Sequence, residues 1–206
     1  MRNLPGLVRA VASVAAALLL LANEAGASRW SLGLRAEAVS FEHDRVGDLI
    51  LEPAGGVRFH VGFDLAPQVP LRLAIHASRH RAGASGDEYQ FGGAQLELAY
   101  RFRAGSRLQP FLMAAIGGNA VVDEIEEERR TATNGPSSSI GAGLVLPLDS
   151  EGEHFAFELG AAWSPLNWNE VVVREADGEG GTTETTVPVE DSGSNVRGFA
   201  GVLIHF

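Results

Sequence analysis

The chain has 206 residues and a formal net charge of −10, from 16 arginines against 26 aspartates and glutamates. This acidic balance disfavours contact with a phosphate backbone, so we expect no nucleic-acid partner. The sequence contains no cysteine, which excludes disulfides, thiolate zinc sites and a cysteine nucleophile. A hydrophobic content of 45% with 25 glycines is too apolar for a disordered chain and suits an ordered fold.

The first 27 residues have the order of a secretory signal peptide. Arg2 and Arg9 precede an apolar run over residues 10–22, and small residues at 25–27 supply the two positions that determine cleavage. We therefore expect residues 1–27 to be removed and residues 28–206 to form one folded domain. An uncleaved membrane anchor is the alternative, but the run is shorter than the ~20 residues that a spanning helix needs.

After residue 28, apolar residues recur at every second position. In the first run Leu32 and Leu34 alternate with Gly33 and Arg35, which places the two sets on opposite faces of a strand. Runs of this kind predict eight strands, over residues 30–40, 56–65, 71–78, 94–103, 108–119, 139–148, 155–163 and 196–206. The phase is open near Gly92 and Gly93, where a β-bulge would fit.

An eight-stranded barrel can carry its apolar face inward, as soluble lipocalins do, or outward, as membrane barrels do. The connections favour the second arrangement because they alternate in length. Those after strands two, four and six are short, near residues 67–70, 104–107 and 149–153. Those after strands one, three, five and seven are mostly longer, near 41–54, 82–88, 123–137 and 165–194. Short periplasmic turns and long extracellular loops are typical of outer-membrane barrels.

The non-apolar face carries charges of both signs on most strands. In a narrow lumen such groups must neutralise one another, because an isolated buried charge costs several kcal/mol. We therefore expect a lumen filled by ion pairs, among them Asp64 with Arg72 across the second hairpin. The candidate lumen residues are Arg35, Glu37, Arg58, Asp64, Arg72, Glu97, Arg101, Glu158 and Arg197.

The chain ends with Phe206, and Ile204 and Val202 share its face of the last strand. This ending resembles the terminal-strand signal of bacterial outer-membrane proteins, which the barrel assembly machinery of such cells reads. Aromatic residues also lie near the predicted strand ends, where membrane-interface girdles are expected. They are Trp30, Phe102, Phe155 and Phe206 at the short-turn rim, and Tyr89, Phe91, Trp163 and Trp168 at the long-loop rim.

In pattern and length the mature chain resembles the small outer-membrane barrels represented by the membrane domain of outer membrane protein A and by outer membrane protein X. The resemblance implies an all-β fold, an eight-stranded antiparallel up-and-down transmembrane β-barrel in the bacterial outer membrane. It implies outer-membrane lipid, lipopolysaccharide and the barrel assembly machinery as partners, and a monomer. The role it implies is structural or one of surface interaction, and a narrow channel for small solutes is the alternative.

The sequence predicts no catalytic residue, no cofactor and no metal site. His60 and His76 are expected within reach of each other, but lumen hydrogen bonding explains them better than a metal ion does. A lipid A-modifying enzyme is the catalytic alternative, because His76 and Ser78 match part of a His-x-Ser arrangement that some small barrels carry. We expect a non-enzymatic protein, since the lipid-facing residues contain no histidine to act as a base.

The long connections hold eighteen acidic residues, from Glu42 to Asp191. A solvated rim explains most of them, and attraction of a cationic extracellular ligand or of divalent ions is the functional alternative. Residues 171–174 and 182–189 are expected to extend strands seven and eight beyond the membrane as a hairpin. The exposed edge of that hairpin would offer a place for a partner to add a strand.

Overall fold

Eight antiparallel strands close into a barrel in a computed structural model that describes residues 30–42, 51–82, 87–126, 129–148, 154–176 and 182–206. Each strand pairs with its neighbours in the chain, and β1 closes the barrel against β8. The predicted fold class is thus confirmed. The expected signal peptide, residues 1–27, lies outside the described residues. The strands are β1 (Trp30–Glu42), β2 (Ala54–Ala66), β3 (Val69–Arg81), β4 (Glu88–Arg101), β5 (Gln109–Glu126), β6 (Arg129–Pro147), β7 (Phe155–Ala176) and β8 (Thr182–His205).

The burial of alternate residues shows which face is inside. Along β1, Arg35 is 1% exposed whereas its neighbour Leu34 is 54% exposed, and the other strands repeat this alternation. Large apolar side chains therefore cover the outer wall. This wall faces lipid, because exposing so wide an apolar band to water would be unfavourable. The outward set includes Leu32, Leu34, Val57, Phe59, Ile75, Leu96, Leu98, Leu112, Ile116, Ile140, Leu159 and Val202. No helix in the described part of the chain is long and apolar enough to cross a membrane.

The two ends of the barrel differ. At the short-turn end only Pro67 and Gln68 connect β2 to β3, and residues 102–108 connect β4 to β5. There Arg103 and Gly105 adopt positive φ values of 55° and 86°, so the chain reverses through left-handed conformations. We call the opposite end, where β5–β6 and β7–β8 connect, the long-strand end.

Two expected loops are largely strand. β5 and β6 reach into the predicted loop 123–137, and β7 and β8 reach into the predicted loop 165–194. These four strands have 18 to 24 residues, whereas β1 to β4 have 13 or 14. The apolar-outward alternation ends there, since Leu166 and Trp168 point inward while Asn167 and Asn169 are exposed, and residues 183–188 are all exposed. Threonine and valine keep their preference for strands. Extension of strands seven and eight as a hairpin is confirmed.

The phase that the sequence left open at Gly92 and Gly93 is regular, and no bulge occurs there. The pairing runs in register from Ile75↔Ala94 through His76↔Gly93 and Ala77↔Gly92. These glycines instead make room for neighbours, since a Cβ at Gly93 would overlap the carbonyl oxygen of Gly118. Register shifts occur elsewhere, between 64 and 66, 124 and 126, 134 and 137, and 168 and 170.

Glycines on the inner face of β6 provide space for aromatic side chains. A Cβ at Gly143 would lie 2.6 Å from Cζ of Phe111 and would overlap the carbonyl oxygen of Leu159. We expect Gly143→Ala to destabilise the barrel by about 1–3 kcal/mol, the usual cost of overpacking. The urea midpoint of the protein refolded into lipid measures the change.

Gly198→Ala is the matched control, because a Cβ at Gly198 meets nothing within 4 Å. The free energy of unfolding of this variant should stay within about 0.5 kcal/mol of that of the unmodified protein, as for other surface substitutions. An equal effect of the two alanines would contradict the packing that we describe.

Candidate functional site

The interior of the barrel is organised around Glu97. Its carboxylate accepts hydrogen bonds from Arg35 on β1 at 3.0 and 3.1 Å, from Arg72 on β3 at 2.9 Å and from Arg58 on β2 at 3.3 Å. The β3–β4 register places Arg72 directly opposite Glu97, while Arg35 and Arg58 are opposite each other in β1 and β2. All four side chains are 2% exposed or less. Paired guanidinium and carboxylate groups of this kind form the strongest hydrogen bonds in proteins.

A second carboxylate links the same arginines to the far side of the barrel. Glu158 on β7 is fully buried and contacts both Arg35 and Arg72, the latter through Nη2 and Oε2 at 3.1 Å. Glu37 lies 3.8 Å from Arg58. We call the seven residues Arg35, Glu37, Arg58, Arg72, Glu97, Glu158 and Arg197 the central cluster.

Asp64 does not follow the expected pairing with Arg72. Its carboxylate lies 3.8 Å from Nη2 of Arg101, near the short-turn end, while Arg72 binds Glu97 and Glu158. The register explains the difference, because Arg72 is opposite Gly62 on β2 and opposite Glu97 on β4. A carboxylate directly across the β3–β4 pair therefore meets Arg72.

Uncharged polar residues that were not among the predicted lumen residues complete the cluster. Gln95 accepts hydrogen bonds from Arg58 at 3.0 Å and from Arg197 at 3.4 Å, and donates one to Ser137 at 3.1 Å. Arg197 also donates to Ser164 at 2.9 Å. The sequence did hold a signal for two of them, since Gln95 shares the inward parity of Glu97 and Ser164 that of Glu158.

Two apolar clusters also lie inside the barrel. Three of the residues expected in the long-rim girdle, Tyr89, Phe91 and Trp168, are 5% exposed or less and point inward. Without a bulge at Gly92, Phe91 has the parity of Glu97, which explains the error. The cluster at the long-strand end comprises Val39, Leu51, Ala82, Tyr89, Phe91, Val121, Leu166 and Trp168. The second cluster comprises Ala99, Phe111, Met113, Val145, Ala156, Ala162, Phe199 and Leu203.

The outward aromatic residues agree with an interface girdle. Phe102, Phe155 and Phe206 are 42–67% exposed at the short-turn end, and Trp163 is 43% exposed. The ring of Trp30 packs 5.3 Å from that of Phe63. Among the residues of the expected assembly signal, Val202 is 48% exposed, Ile204 is half-buried, and the backbone N–H of Phe206 donates to the Trp30 carbonyl at 2.9 Å.

The inward histidines make different contacts. His60 is opposite Ala74 and so diagonal to His76, and neither ring has a hydrogen-bond partner among the described residues. His80 joins Ser78 Oγ through Nε2 at 2.7 Å and the Glu52 carbonyl through Nδ1 at 2.9 Å. The carbonyl requires a proton on Nδ1, so Nε2 accepts from the Ser78 hydroxyl. The pair lies beneath Phe41 and Phe91, whose ring centroids are 4.9 and 6.2 Å from that of His80.

Six of the eighteen acids of the long connections have described side chains: Glu42, Glu52, Asp87, Glu88, Glu170 and Glu184. The side chains of the other twelve lie outside the described residues. Glu88 lies 3.5 Å from Arg79 and 3.4 Å from Arg81, and all three are exposed on the outer wall. Three or more metal-ligating side chains do not gather at any described place.

Comparisons with known proteins agree on the fold. No protein-family model matches the chain, and no curated protein matches it in sequence. Neisserial surface protein A matches with a TM-score of 0.56 at 13% identity over 87% of this chain and 97% of that one. A major outer membrane protein from Thermus thermophilus gives 0.58 at 13% identity over 87% and 100%. The N-terminal β-barrel domain of Pseudomonas aeruginosa OprF gives 0.51 at 14% over 85% and 97%. The chain thus has the fold of the small outer-membrane β-barrels.

Removing the shared carboxylate should test the central cluster. We expect Glu97→Gln to destabilise the protein by about 3–5 kcal/mol, because it leaves three buried arginines with insufficient negative charge. Glu88→Gln is the control, since it breaks two ion pairs of exposed side chains, which contribute less than about 1 kcal/mol each. Urea unfolding midpoints in lipid compare the two variants. Similar midpoints would show that the cluster does not stabilise the fold.

Proposed function

We propose that this chain is a monomeric bacterial outer-membrane protein with a structural or surface-interaction role, and that it displays a binding sheet at its long-strand end. The observation that carries this proposal is the continuation of four strands beyond the barrel. β1 and β8 last pair at Glu42↔Ser194 among the described residues, whereas β7 and β8 pair on to Ala176↔Thr182. β6 and β7 pair as far as Arg129↔Glu175.

Among the described residues, β1 does not extend along one edge of this sheet. Residues 182–188 and 191–193 of β8 pair with β7 on one side, and no described residue of β1 pairs with them on the other. Residues 183–188 are all exposed, and Val187 is 49% exposed. An edge of this kind presents unpaired N–H and C=O groups to which an extended peptide can add as a further strand. The ligand class that fits this edge is therefore an extracellular peptide segment bound by main-chain hydrogen bonds.

The filled interior supports a binding role over a channel. The central cluster links β1 with β4 and β3 with β7 across the lumen. Two apolar clusters occupy further parts of the interior. An eight-stranded barrel is just wide enough for its side chains to fill or for one small ligand. Burial of Ser78 and His80 at 8% and 1% exposure likewise favours a non-enzymatic role, since a nucleophile must reach its substrate.

The outer wall supports a membrane partnership. Arg79 and Arg81 are 66% and 68% exposed, and they follow the outward Ile75 on β3 toward the long-strand end. They stand where phosphate groups of lipopolysaccharide would border the apolar band, and arginine binds phosphate well. The exposed Val202 and Phe206 are available for recognition by the barrel assembly machinery during insertion.

Blocking the edge of β8 should abolish peptide binding. We expect peptides selected from a random twelve-residue display library on the purified protein to lose binding to Thr183→Lys/Thr185→Lys, because charges on an edge strand oppose strand addition. Deletion of residues 176–187 should have the same effect. Both variants should still insert, as judged by heat-modifiable migration on gels.

Asn167→Lys/Asn169→Lys is the matched control, since it adds the same charge to exposed positions of β7, a strand paired on both sides. This variant should retain peptide binding. Equal binding of the selected peptides to the β8 variant and to this β7 variant would contradict the proposed edge. A library that yields no binder to the unmodified protein would also contradict it.

Conductance measurements test the channel alternative. In a planar bilayer the protein should show no stepwise current, because ion pairs and apolar side chains fill the lumen. A Cβ at Gly62 would lie 3.2 Å from Cγ of Arg72, so valine there obstructs the same interior. Stepwise currents that fall in Gly62→Val would establish a channel and overturn this part of the proposal.

A further inference from the structure

A layer of uncharged polar side chains lies where the central cluster meets the apolar cluster at the long-strand end. On β8, Asn195 is the next inward residue from Arg197 in the direction of that end. On β3, His76 lies two inward positions from Arg72 in the same direction. On β5, Asn119 is the inward residue next to Val121, which belongs to the apolar cluster. All three polar side chains are 6% exposed or less. A polar layer so deeply buried requires hydrogen-bond partners.

Positive charge exceeds negative charge in the described interior. Five arginines stand against four carboxylates, which leaves one positive charge when the histidines are neutral. The arginines are Arg35, Arg58, Arg72, Arg101 and Arg197, and the carboxylates are Glu37, Asp64, Glu97 and Glu158. An uncompensated buried charge costs several kcal/mol.

The excess charge falls at Arg197. Its hydrogen bonds go to neutral oxygens, those of Ser164 at 2.9 Å and Gln95 at 3.4 Å, and no described carboxylate lies within 4 Å of it. The same Gln95 oxygen accepts from Arg58 at 3.0 Å. Two guanidinium groups therefore converge on one uncharged acceptor, which concentrates positive potential at this point of the lumen.

Unpartnered polar atoms lie on inward positions near Arg197 and its partners. Both amide atoms of Asn195 and both ring nitrogens of His76 lack partners among the described residues, as does Nε of Arg197. Asn195 is opposite Ser164, the hydrogen-bond partner of Arg197, and His76 is opposite Arg58. His76 also lies within electrostatic range of Arg197. Each of these groups can present an N–H donor to one ligand.

We propose that this layer binds one small inorganic anion of the halide class, such as chloride, held by Arg197, Asn195 and His76. The anion neutralises the excess charge and accepts the hydrogen bonds that these groups do not make with one another. A monatomic ion is the suitable size, because side chains fill the rest of the lumen. The site is independent of the proposed peptide-binding edge, which lies outside the barrel.

Bromide gives a direct test. Crystals of the detergent-purified protein grown with sodium bromide should show one anomalous peak within hydrogen-bond distance of Arg197 and Asn195. Ordered waters alone at this position, without anomalous signal, would overturn the proposal. This measurement uses the unmodified protein and does not depend on the folding of any variant.

Thermal unfolding gives the second test. At constant ionic strength, replacement of sodium gluconate by sodium chloride should raise the unfolding midpoint by roughly 3–5 °C for each tenfold increase above the dissociation constant. Arg197→Gln should abolish this dependence and be no less stable without chloride, since it removes the uncompensated charge. Arg107→Gln, at an exposed turn position, should retain it. The site would be refuted if the unfolding midpoint of the unmodified protein did not change with chloride concentration. A chloride dependence that persists in Arg197→Gln would refute it as well.

Discussion

The sharing of Glu97 among three arginines is the interaction on which the interior depends. A single buried guanidinium would destabilise the barrel, but here each arginine that faces the axis finds a carboxylate or an amide oxygen. The contacts of Glu97 and Glu158 join strands that are not neighbours in the sheet, β1 with β4 and β3 with β7. Backbone hydrogen bonds join neighbouring strands into the wall, whereas these side-chain contacts across the lumen fix the distance between opposite strands.

The apolar side chains beside the ion pairs strengthen them. Water that reached the arginines would weaken their attraction to the carboxylates, because electrostatic interactions fall as the local dielectric rises. Phe111 and Phe199 lie beside the ion pairs, with ring centroids 6.4 Å apart, and Arg35 lies 4.5 Å above the ring of Phe199. Glycines on β6 and β7 make this possible, since a Cβ at Gly160 would lie 2.6 Å from Phe199.

The sequence predicted the wall better than it predicted the interior. Alternation identified the inward and outward faces because lipid and lumen demand opposite side chains at successive positions. Partners across the lumen depend on the stagger between strands, which no local pattern records. Register between neighbouring strands likewise decides the acid that meets Arg72, since Glu97 is directly opposite it on β4, whereas Asp64 lies 3.8 Å from Arg101. The full length of the four extended strands was missed because the apolar-outward alternation ends within them, as at Leu166 and Trp168, which point inward.

The shape of the β8 edge limits what can bind there. Pro188 has no N–H to donate, so it interrupts the row of backbone groups on this strand. The unbroken part of the edge is residues 182–187, about 20 Å long at ~3.3 Å per residue. Glu184 lies within this segment and opposes like-charged or purely apolar partners, which is how natural sheets restrain aggregation. A short, threonine-rich and singly charged edge on a rigid barrel therefore favours one added strand over uncontrolled association.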